Sequence, residues 1–459
     1  MSTRSKLLSA GTAGVLTLSL LALSACSPQP GLSGSPTPTD SATPSSSGAA
    51  QSAEPAEATP FAEPSHVATG LTWDDDSPVE AGGFSTGDAA PFAEGDAPEK
   101  VAELSAKKGE FLRIAAATND AWIGVTGPTG EGVVGVGDGG APEEGDRLVS
   151  IDPGTGEVSE LYTAANIEPQ DGPRNVVGVD ADDSGVVWTE NGWGNTASSP
   201  LRWKLFQSSS TDPDDVQVNL LGTVEDHAKA KKAWLPPREV DTVPVLVGDE
   251  VWWNTLDVAE EGAVPVTTLL AQKADGGGKT SKVTTGITDP VAFRDGVAAG
   301  ATTWELQDDI YQPLTKSVVQ VGEDGSKQLL LKASKGEVSL LAAAGDWLLV
   351  EHQGELIAAN PKEHTAWKVS AAEDEGTPGS GAAVCGSVAT FSFEGDEPLV
   401  DSPQYFLNLE SGEFNTMEAE TGSTMTGSEA HCTPNGTSLA ISQAGPGRTF
   451  REVLYRTTF

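Results

Sequence analysis

The chain has 459 residues, a formal net charge of −40 and 37% hydrophobic residues, enough apolar material for one large packed domain or several ordinary ones. A charge this negative repels nucleic acid phosphates, which excludes DNA or RNA as an expected partner. The 52 glycines and 30 prolines indicate many turns between short elements, which favours β-structure over long helices.

The first 25 residues have the three parts of a secretory signal peptide. Arg4 and Lys6 supply positive charge, residues 7–25 are small and apolar, and the run LSAC ends the segment at residues 23–26. This run resembles the lipobox of bacterial lipoproteins, in which the cysteine is acylated, for example with palmitate, and becomes the mature N-terminus. The resemblance implies lipid anchoring through Cys26 at the extracytoplasmic face of the cell membrane. An ordinary signal peptide and an uncleaved signal anchor are the alternatives.

Residues 26–64 form a polar leader rich in Ser, Pro, Thr, Ala and Gly, with almost no large apolar side chains. Such a segment cannot bury enough surface to fold. The sequence therefore predicts a signal peptide at 1–25, a disordered tether at 26–64 and a folded domain at 65–459.

From about residue 110 the chain repeats a hairpin in which an apolar strand of small residues runs through a tight polar turn into a second apolar strand. Seven such hairpins can be counted, at residues 113–125, 175–190, 243–254, 290–304, 338–351, 382–393 and 429–442. Hairpins with more regular alternation, such as 147–163, lie between them. The equivalent turn residues Asp120 and Asn435 give a period of about 53 residues, typical of propeller blades. Two hairpins per repeat predict an all-β, seven-bladed β-propeller of four-stranded antiparallel blades.

The last repeat ends with one strand at 452–459, so an outer strand is missing there. We expect segment 66–73 (HVATGLTW) to pair with it and close the ring, which removes an open sheet edge. Small residues in the first strands, such as Ala115 and Ala342, suit the crowded axis of the ring. Large aromatic side chains in the second strands are expected to fill the gaps between blades. These are Trp122, Trp188, Trp252 and Trp347.

The turn IDPGTGEV at residues 151–158 looks like the recurrent Asp-x-x-Thr-Gly hairpin of quinoprotein-like and TolB-like seven-bladed propellers. Together with the lipobox, it resembles bacterial, actinobacterial-like lipoproteins that carry such a propeller. The resemblance covers roughly residues 66–459. It implies an architecture and not an activity, because propellers host many functions.

Cys385 and Cys432 occupy equivalent places, each at the end of a first strand in consecutive repeats. Because the inner strands of neighbouring blades converge near the axis, we expect a disulfide between these cysteines. Two separate buried thiols are the alternative. The even number of cysteines left after Cys26 fits an oxidising location.

One face of the predicted ring carries the long loops, because turns within hairpins are short and connections between hairpins are long. Segment 227–238 (HAKAKKAWLPPR) lies in one such loop and is basic in a very acidic chain. The candidate binding residues for an anionic ligand or glycan are Lys231, Lys232, Trp234, Arg238 and, in another loop, Trp193. The alternative is a solvated helix that balances the surrounding acidic charge.

We predict no catalytic residues, no metal ligands and no cofactor. The sequence GFSTG at 83–87 matches G-x-S-x-G, but we expect loop on both sides of it instead of a strand-to-helix elbow. Residues 180–185 partly resemble a calcium loop, yet Asn191 stands where the final Glu is needed, and a hairpin turn explains them better. The five histidines show no metal-binding spacing.

The hypothesis is therefore a monomeric, lipid-anchored lipoprotein of the cell envelope that acts as a binding or scaffold module through its long-loop face. Its expected partners are the membrane, through the lipid, and an envelope protein or a glycan. Two alternatives remain open. One is an extracytoplasmic propeller enzyme, either a glycan hydrolase or lyase or a quinone-dependent dehydrogenase. The other is an envelope sensor or assembly subunit.

Overall fold

The computed structural model consists of β-strands and one short 3-10 helix in the part of the chain that it describes. This part comprises residues 65–128, 145–163, 174–192, 203–223, 243–257, 263–307, 310–372, 376–379, 381–394, 403–417, 430–445 and 449–457. The chain divides into two units, 1–59 and 60–459, and all described residues belong to the second. None of these residues belongs to a helix that is long and apolar enough to cross a membrane. The predicted signal peptide and tether, with Cys26, lie outside the described residues.

The N-terminal part contains β1 (His66–Thr72), β2 (Pro78–Ser85), the 3-10 helix Thr86–Asp88, β3 (Ala90–Pro91) and β4 (Glu99–Ser105). Consecutive four-stranded antiparallel units follow, named blades in chain order. Blade 1 contains β5 (Glu110–Ala117), β6 (Trp122–Pro128), β7 (Arg147–Ile151) and β8 (Val158–Thr163). Blade 2 contains β9 (Arg174–Asp182), β10 (Gly185–Gly192), β11 (Lys204–Ser208) and β12 (Val218–Thr223). Blade 3 contains β13 (Val245–Val247), β14 (Glu250–Asp257), β15 (Val266–Lys273) and β16 (Ser281–Thr285).

Blade 4 contains β17 (Ile287–Phe293), β18 (Gly296–Gln307), β19 (Ile310–Gly322) and β20 (Lys327–Ala333). Blade 5 contains β21 (Ser339–Ala344), β22 (Trp347–His352), β23 (Glu355–Asn360) and β24 (Thr365–Ser370). Next to blade 6, β25 (Thr377–Pro378) pairs with β28 (Phe393–Glu394). Blade 6 itself contains β26 (Ala383–Cys385), β27 (Val388–Phe391), β29 (Gln404–Asn408) and β30 (Phe414–Met417). Blade 7 combines β31 (Ala430–Cys432), β32 (Ser438–Gly445) and β33 (Thr449–Arg456) with β4.

The blades are arranged as a closed ring. The first strand of each blade contacts the first strand of the next, and that of blade 7 contacts that of blade 1. These strands are β5, β9, β13, β17, β21, β26 and β31. The outer edge of blade 7 is completed by β4, which pairs antiparallel with β33. The prediction of an all-β propeller is confirmed, as is the closure of its last blade by a strand from the N-terminal side.

Segment 66–73, which we expected to close the ring, lies elsewhere. β1 and β2 form a hairpin between the outer strands of blades 4 and 5, where β1 pairs with β20 and β2 pairs in parallel with β24. Leu71, Trp73 and Val79 are almost fully buried in the core that these two blades share. The expectation was wrong because the apolar pattern of this segment suits any open sheet edge. Residues 99–105 take the edge of blade 7 instead.

The tryptophans of the second strands mostly fill the spaces between blades, as predicted. Trp122, Trp188 and Trp252 are fully buried, and Trp122 shares its core cluster with Ala440 of blade 7. Trp347 differs, because it is half-buried and lines a groove at the surface.

Two predicted local features are also present. Cys385 and Cys432 form a disulfide with their Cα atoms 5.4 Å apart, which joins the inner strands of blades 6 and 7. Closing a loop of this size stabilises the fold by about 3–4 kcal/mol in the chain-entropy model. In the Asp-x-x-Thr-Gly turn, Asp152 Oδ1 accepts hydrogen bonds from the backbone N–H groups of Gly154 at 2.9 Å and Thr155 at 2.7 Å. This turn therefore satisfies these exposed donors within four residues.

Candidate functional site

The two faces of the ring differ in their connections. The turns inside the hairpins lie at one face, called the short-turn face, and the strand ends that the remaining connections join lie at the other, called the long-connection face. Blades 1 and 2 have four wide gaps between strand ends at the long-connection face. These gaps run from Pro128 to Arg147, Thr163 to Arg174, Gly192 to Lys204 and Thr223 to Val245. Four of the long connections predicted to carry function therefore join strand ends of blades 1 to 3, and others, such as the one from Met417 to Ala430, join later blades.

A channel of about 670 Å³ is lined by the first strands of six blades and by Val243. Its wall is mostly valine, alanine and glycine, including the predicted axial residues Ala115 and Ala342. Among the described residues that line it, the ionisable side chains are Arg113 and His431. The channel therefore combines a mostly apolar wall with one permanent positive charge, that of Arg113.

Arg113 is held at the channel wall by contacts between blades 1 and 2. Its Nη2 donates a hydrogen bond to the Val176 carbonyl at 3.2 Å, and the side chain is half-buried. The buried carboxylate of Asp146 accepts a hydrogen bond from the Val176 N–H at 2.9 Å. Burial raises the pKa of Asp146 to about 6, although the Val176 N–H and the charge of Arg113 oppose this shift. Both backbone groups of Val176 are thus bound by blade 1 side chains, which orients the guanidinium.

A buried ion pair lies next to these contacts. Arg174 Nε lies 3.1 Å from Glu190 Oε2, and the two side chains are 3% and 0% exposed. Trp188 Nε1 donates to Glu190 Oε1 at 2.9 Å, and Lys204 lies directly opposite Glu190 in the β-ladder. Burial raises the pKa of Glu190 to about 7, while the hydrogen bonds from Trp188 and Arg174 favour its ionised form. We call Arg113, Asp146, Arg174, Glu190 and Lys204 the blade 1–2 charged cluster.

The cluster has a rigid part and an accessible part. Arg174, Glu190 and Lys204 are buried, and Arg174 donates to both the carboxylate and the backbone carbonyl of Glu190. These bonds hold β9 and β10 together at the long-connection face. Arg113 commits one of its five N–H donors to Val176, and its guanidinium borders the channel. A guanidinium in this setting suits a carboxylate or another planar anion.

The predicted binding residues Trp193, Lys231, Lys232, Trp234 and Arg238 lie outside the described residues. Their flanking strands are described. Trp193 directly follows β10, which carries Glu190, and segment 224–242 lies between β12 and β13. Their role in binding therefore stays a prediction, with attachment points on blades 2 and 3.

The sequence interpretation missed the blade 1–2 charged cluster. In the sequence, most of its members begin or end short apolar runs, as in RIAAA at 113–117 or VVWTE at 186–190. A charge at a strand end usually indicates only the start of a solvated loop. The sequence signal that could have indicated the cluster was the occurrence of such charges in two consecutive repeats.

The structure shows what the carboxylates of the calcium-like pattern at residues 180–185 bind. Asp182 Oδ1 accepts the Ser184 N–H, whereas Asp180 accepts the N–H of Leu246 in blade 3 and Asp183 accepts from Asn119 in blade 1. The three carboxylates therefore accept hydrogen bonds from three different blades and do not converge on one point. Residues 183–184 form the predicted hairpin turn.

The G-x-S-x-G segment lies on β2 and the 3-10 helix, so the expectation of loop before it was wrong. The Ser85 N–H donates to Asp88 Oδ2 at 2.7 Å. In the described part of the chain, no histidine hydrogen-bonds to Ser85. The segment therefore lacks the base that a nucleophilic serine needs.

For metal ions, the described residues bring together one trio, Asp74, Asp75 and His364, with ligand atoms within 4.8 Å of one another. All three are exposed, and Asp75 Oδ1 already accepts the Ser77 N–H at 2.9 Å. The His364 ring stacks on buried Trp73 with centroids 4.8 Å apart, which accounts for its orientation without a metal.

No protein-family model matches this chain, and a comparison with curated proteins finds no match either. Solved structures give distant likenesses. An acylaminoacyl peptidase from Pyrococcus horikoshii is 9% identical with a TM-score of 0.47, and the match covers 76% of this chain and 51% of the peptidase. This chain thus spans about half the length of that enzyme.

The β-propeller domain of the trilobed protease from Pyrococcus furiosus is 11% identical with a TM-score of 0.44, covering 75% of this chain and 95% of that domain. TolB from Acinetobacter baumannii is 11% identical with a TM-score of 0.35, covering 69% and 79%. At such identities and scores, the fold assignment depends on the sheets of this chain itself.

Proposed function

We propose that this chain is a lipid-anchored, extracytoplasmic binding protein that captures an anionic ligand at the long-connection face. The observation that carries the proposal is the position of Arg113, a guanidinium at the wall of a channel that is otherwise mostly small and apolar. A site of this kind takes a slender ligand whose acidic group meets Arg113 and whose body contacts the apolar wall.

Charge distribution supports this choice of ligand. The chain carries a net charge of −40, but the blade 1–2 charged cluster has more cationic than anionic side chains. It contains Arg113, Arg174 and Lys204 together with Asp146 and Glu190. The basic segment 227–238 belongs to the connection between β12 and β13. A positive region within a negative field draws an anion to that region and away from the rest of the surface.

An extracytoplasmic enzyme is the weaker candidate. Glycoside hydrolysis needs two carboxyl groups that flank the substrate. Glu190 has a raised pKa, as a general acid often has, but its oxygens are bound to Trp188 and Arg174 in the interior. Among the described residues that line the channel, none is an Asp or a Glu. Binding needs only groups that these residues supply.

The anchor is the second part of the proposal. If Cys26 carries the lipid, Cys26→Ala should move the protein from the membrane fraction to the soluble fraction of cells. Detergent-dependent membrane association of Cys26→Ala would contradict lipid anchoring at this residue and would leave the binding proposal unaffected.

Ligand binding is tested with an acidic oligosaccharide, tetragalacturonate, by titration calorimetry on the full chain. Arg113→Gln should weaken binding at least tenfold, since it removes the guanidinium from the channel. Arg456→Gln is the matched control, because Arg456 is an exposed arginine on the outer part of blade 7, 60% exposed at its side chain. Equal affinities of the two variants, or no binding by the unaltered protein, would overturn the proposed site.

A further inference from the structure

A second cavity lies at the short-turn face, between blades 5 and 6. It has a volume of about 1080 Å³ and is bordered by the β1–β2 hairpin and by turns of both blades. The residues that matter for its chemistry are Glu80, Trp347, Glu363, Trp367 and Glu410. We call it the blade 5–6 groove.

The groove is negatively charged. Glu80, Glu363 and Glu410 are exposed, and no described lysine or arginine pairs with any of them. A fourth carboxylate, Asp346, is already neutralised by Arg294 and Lys362, each at 2.9 Å. No lysine or arginine occurs among the described residues that line the groove. Three uncompensated carboxylates therefore share one concave surface, which concentrates their field.

The groove also has a rigid aromatic wall. Trp367 Nε1 donates to the Leu409 carbonyl at 2.8 Å. The Trp367 ring covers Gly412, where a Cβ atom would lie only 2.6 Å from the ring. Gly412 has a φ of +74°, so both its space and its backbone conformation require glycine. Trp347 is half-buried at the start of β22 and supplies a second indole in the same groove.

We propose that the blade 5–6 groove binds a cationic peptide segment, with lysine or arginine side chains meeting Glu80, Glu363 and Glu410 and packing against Trp347. Carboxylates together with indole faces favour ammonium and guanidinium groups over neutral or anionic ones. This site is independent of the proposed anion site, since it lies on the other face and has the opposite charge. A second protein with a basic segment could thus be held while the long-connection face is occupied.

The test uses a fluorescent N-acetyl-tetralysine amide, with anisotropy measured at about 150 mM salt, where long-range attraction to the acidic surface is screened. The variant Glu363→Gln with Glu410→Gln should weaken binding at least tenfold. The matched control, Asp214→Asn with Asp215→Asn, removes two exposed carboxylates from the short-turn face of blade 2 and should change affinity less than twofold. Equal losses in the two double variants would show general attraction to an acidic protein and would overturn the site.

Trp347→Ala provides the second arm. It leaves every carboxylate in place, and it should also weaken tetralysine binding severalfold, with Trp347→Phe retaining most of the affinity. Thermal melting of each variant shows whether it is folded. If a neutral oligosaccharide binds and depends on Trp347 but not on Glu363 and Glu410, the groove is a glycan site and the proposal is wrong. Absence of tetralysine binding to the unaltered protein would also reject it.

Discussion

Two carboxylates at each face of the ring, Asp152 and Asp324 at one and Asp146 and Glu190 at the other, differ in burial, in partners and in pKa. At the short-turn face, hydrogen bonds from Thr155 and Ser326 lower the pKa values of Asp152 and Asp324, which lie in water. At the long-connection face, burial raises the pKa of Asp146 to about 6 and that of Glu190 to about 7. The same residue type thus stabilises a turn at one face and carries a desolvation cost at the other.

The difference follows from where the donors come from. A tight turn supplies N–H and hydroxyl donors within two or three residues, as Ser326 does for Asp324. Asp146 accepts from Val176 of blade 2, and Glu190 accepts from Arg174 on the adjacent strand as well as from Trp188 on its own strand. Both carboxylates are buried. Asp146 and Glu190 are consequently coupled to the packing of blades 1 and 2.

The largest effect is expected when the buried pair is broken. At pH 8, Arg174→Ala should lower the free energy of unfolding by about 3–5 kcal/mol, because Glu190 is left buried without its nearest cation. Urea unfolding followed by tryptophan fluorescence measures this change. The control is Lys273→Ala, which breaks an exposed pair with Asp249 at 2.6 Å and should leave stability unchanged within error. Similar losses in both variants would contradict the contrast between the two faces.

A smaller effect is expected in the dependence of stability on pH. Asp146 and Glu190 keep protons in the native state that the unfolded chain has lost, so stability should fall as pH rises from about 4 to about 7. Asp146→Asn with Glu190→Gln should flatten this part of the profile, by about 1.4 kcal/mol for each unit by which the native pKa exceeds the unfolded one. Urea midpoints measured across this range provide the test, and an unchanged slope in the double variant would exclude these groups as its cause.

Below about pH 4 the trend should reverse. The lowered pKa values of Asp152 and Asp324 mean that their stabilising contribution is present above the unfolded pKa and is lost as pH falls through the native one. Asp152→Ala should therefore have the smallest effect, less than about 1 kcal/mol at pH 7, because only exposed turn hydrogen bonds disappear. The difference in stability between Asp152→Ala and the unaltered protein should disappear at low pH, where Asp152 is protonated. A difference that persists there would contradict this account of Asp152.

The features predictable from sequence are those that repeat or are local. The Asp152 turn is encoded within a few residues, and the Cys385–Cys432 pair occupies equivalent positions in adjacent repeats. The closing of the last blade by a strand from the N-terminal side follows from its missing outer strand.

The remaining features depend on contacts between distant segments. β1 and β2 pair with the outer strands of blades 4 and 5. Their own residues do not specify which open sheet edge they join. The Arg174–Glu190 pair and the blade 5–6 groove each join residues whose separate sequence contexts are ordinary. No local pattern records that Glu80, Glu363 and Glu410 share one cavity.

The central claim is that the protein binds an anion at one face and a cation at the other. It is tested most directly by a single experiment with two probes of opposite charge. Tetragalacturonate and tetralysine are each titrated against the unaltered chain, Arg113→Gln, and Glu363→Gln with Glu410→Gln. The expected result is that Arg113→Gln loses affinity for the anion alone and the double variant loses affinity for the cation alone. Loss of both probes in either variant, or of neither in both, would contradict separate sites on the two faces.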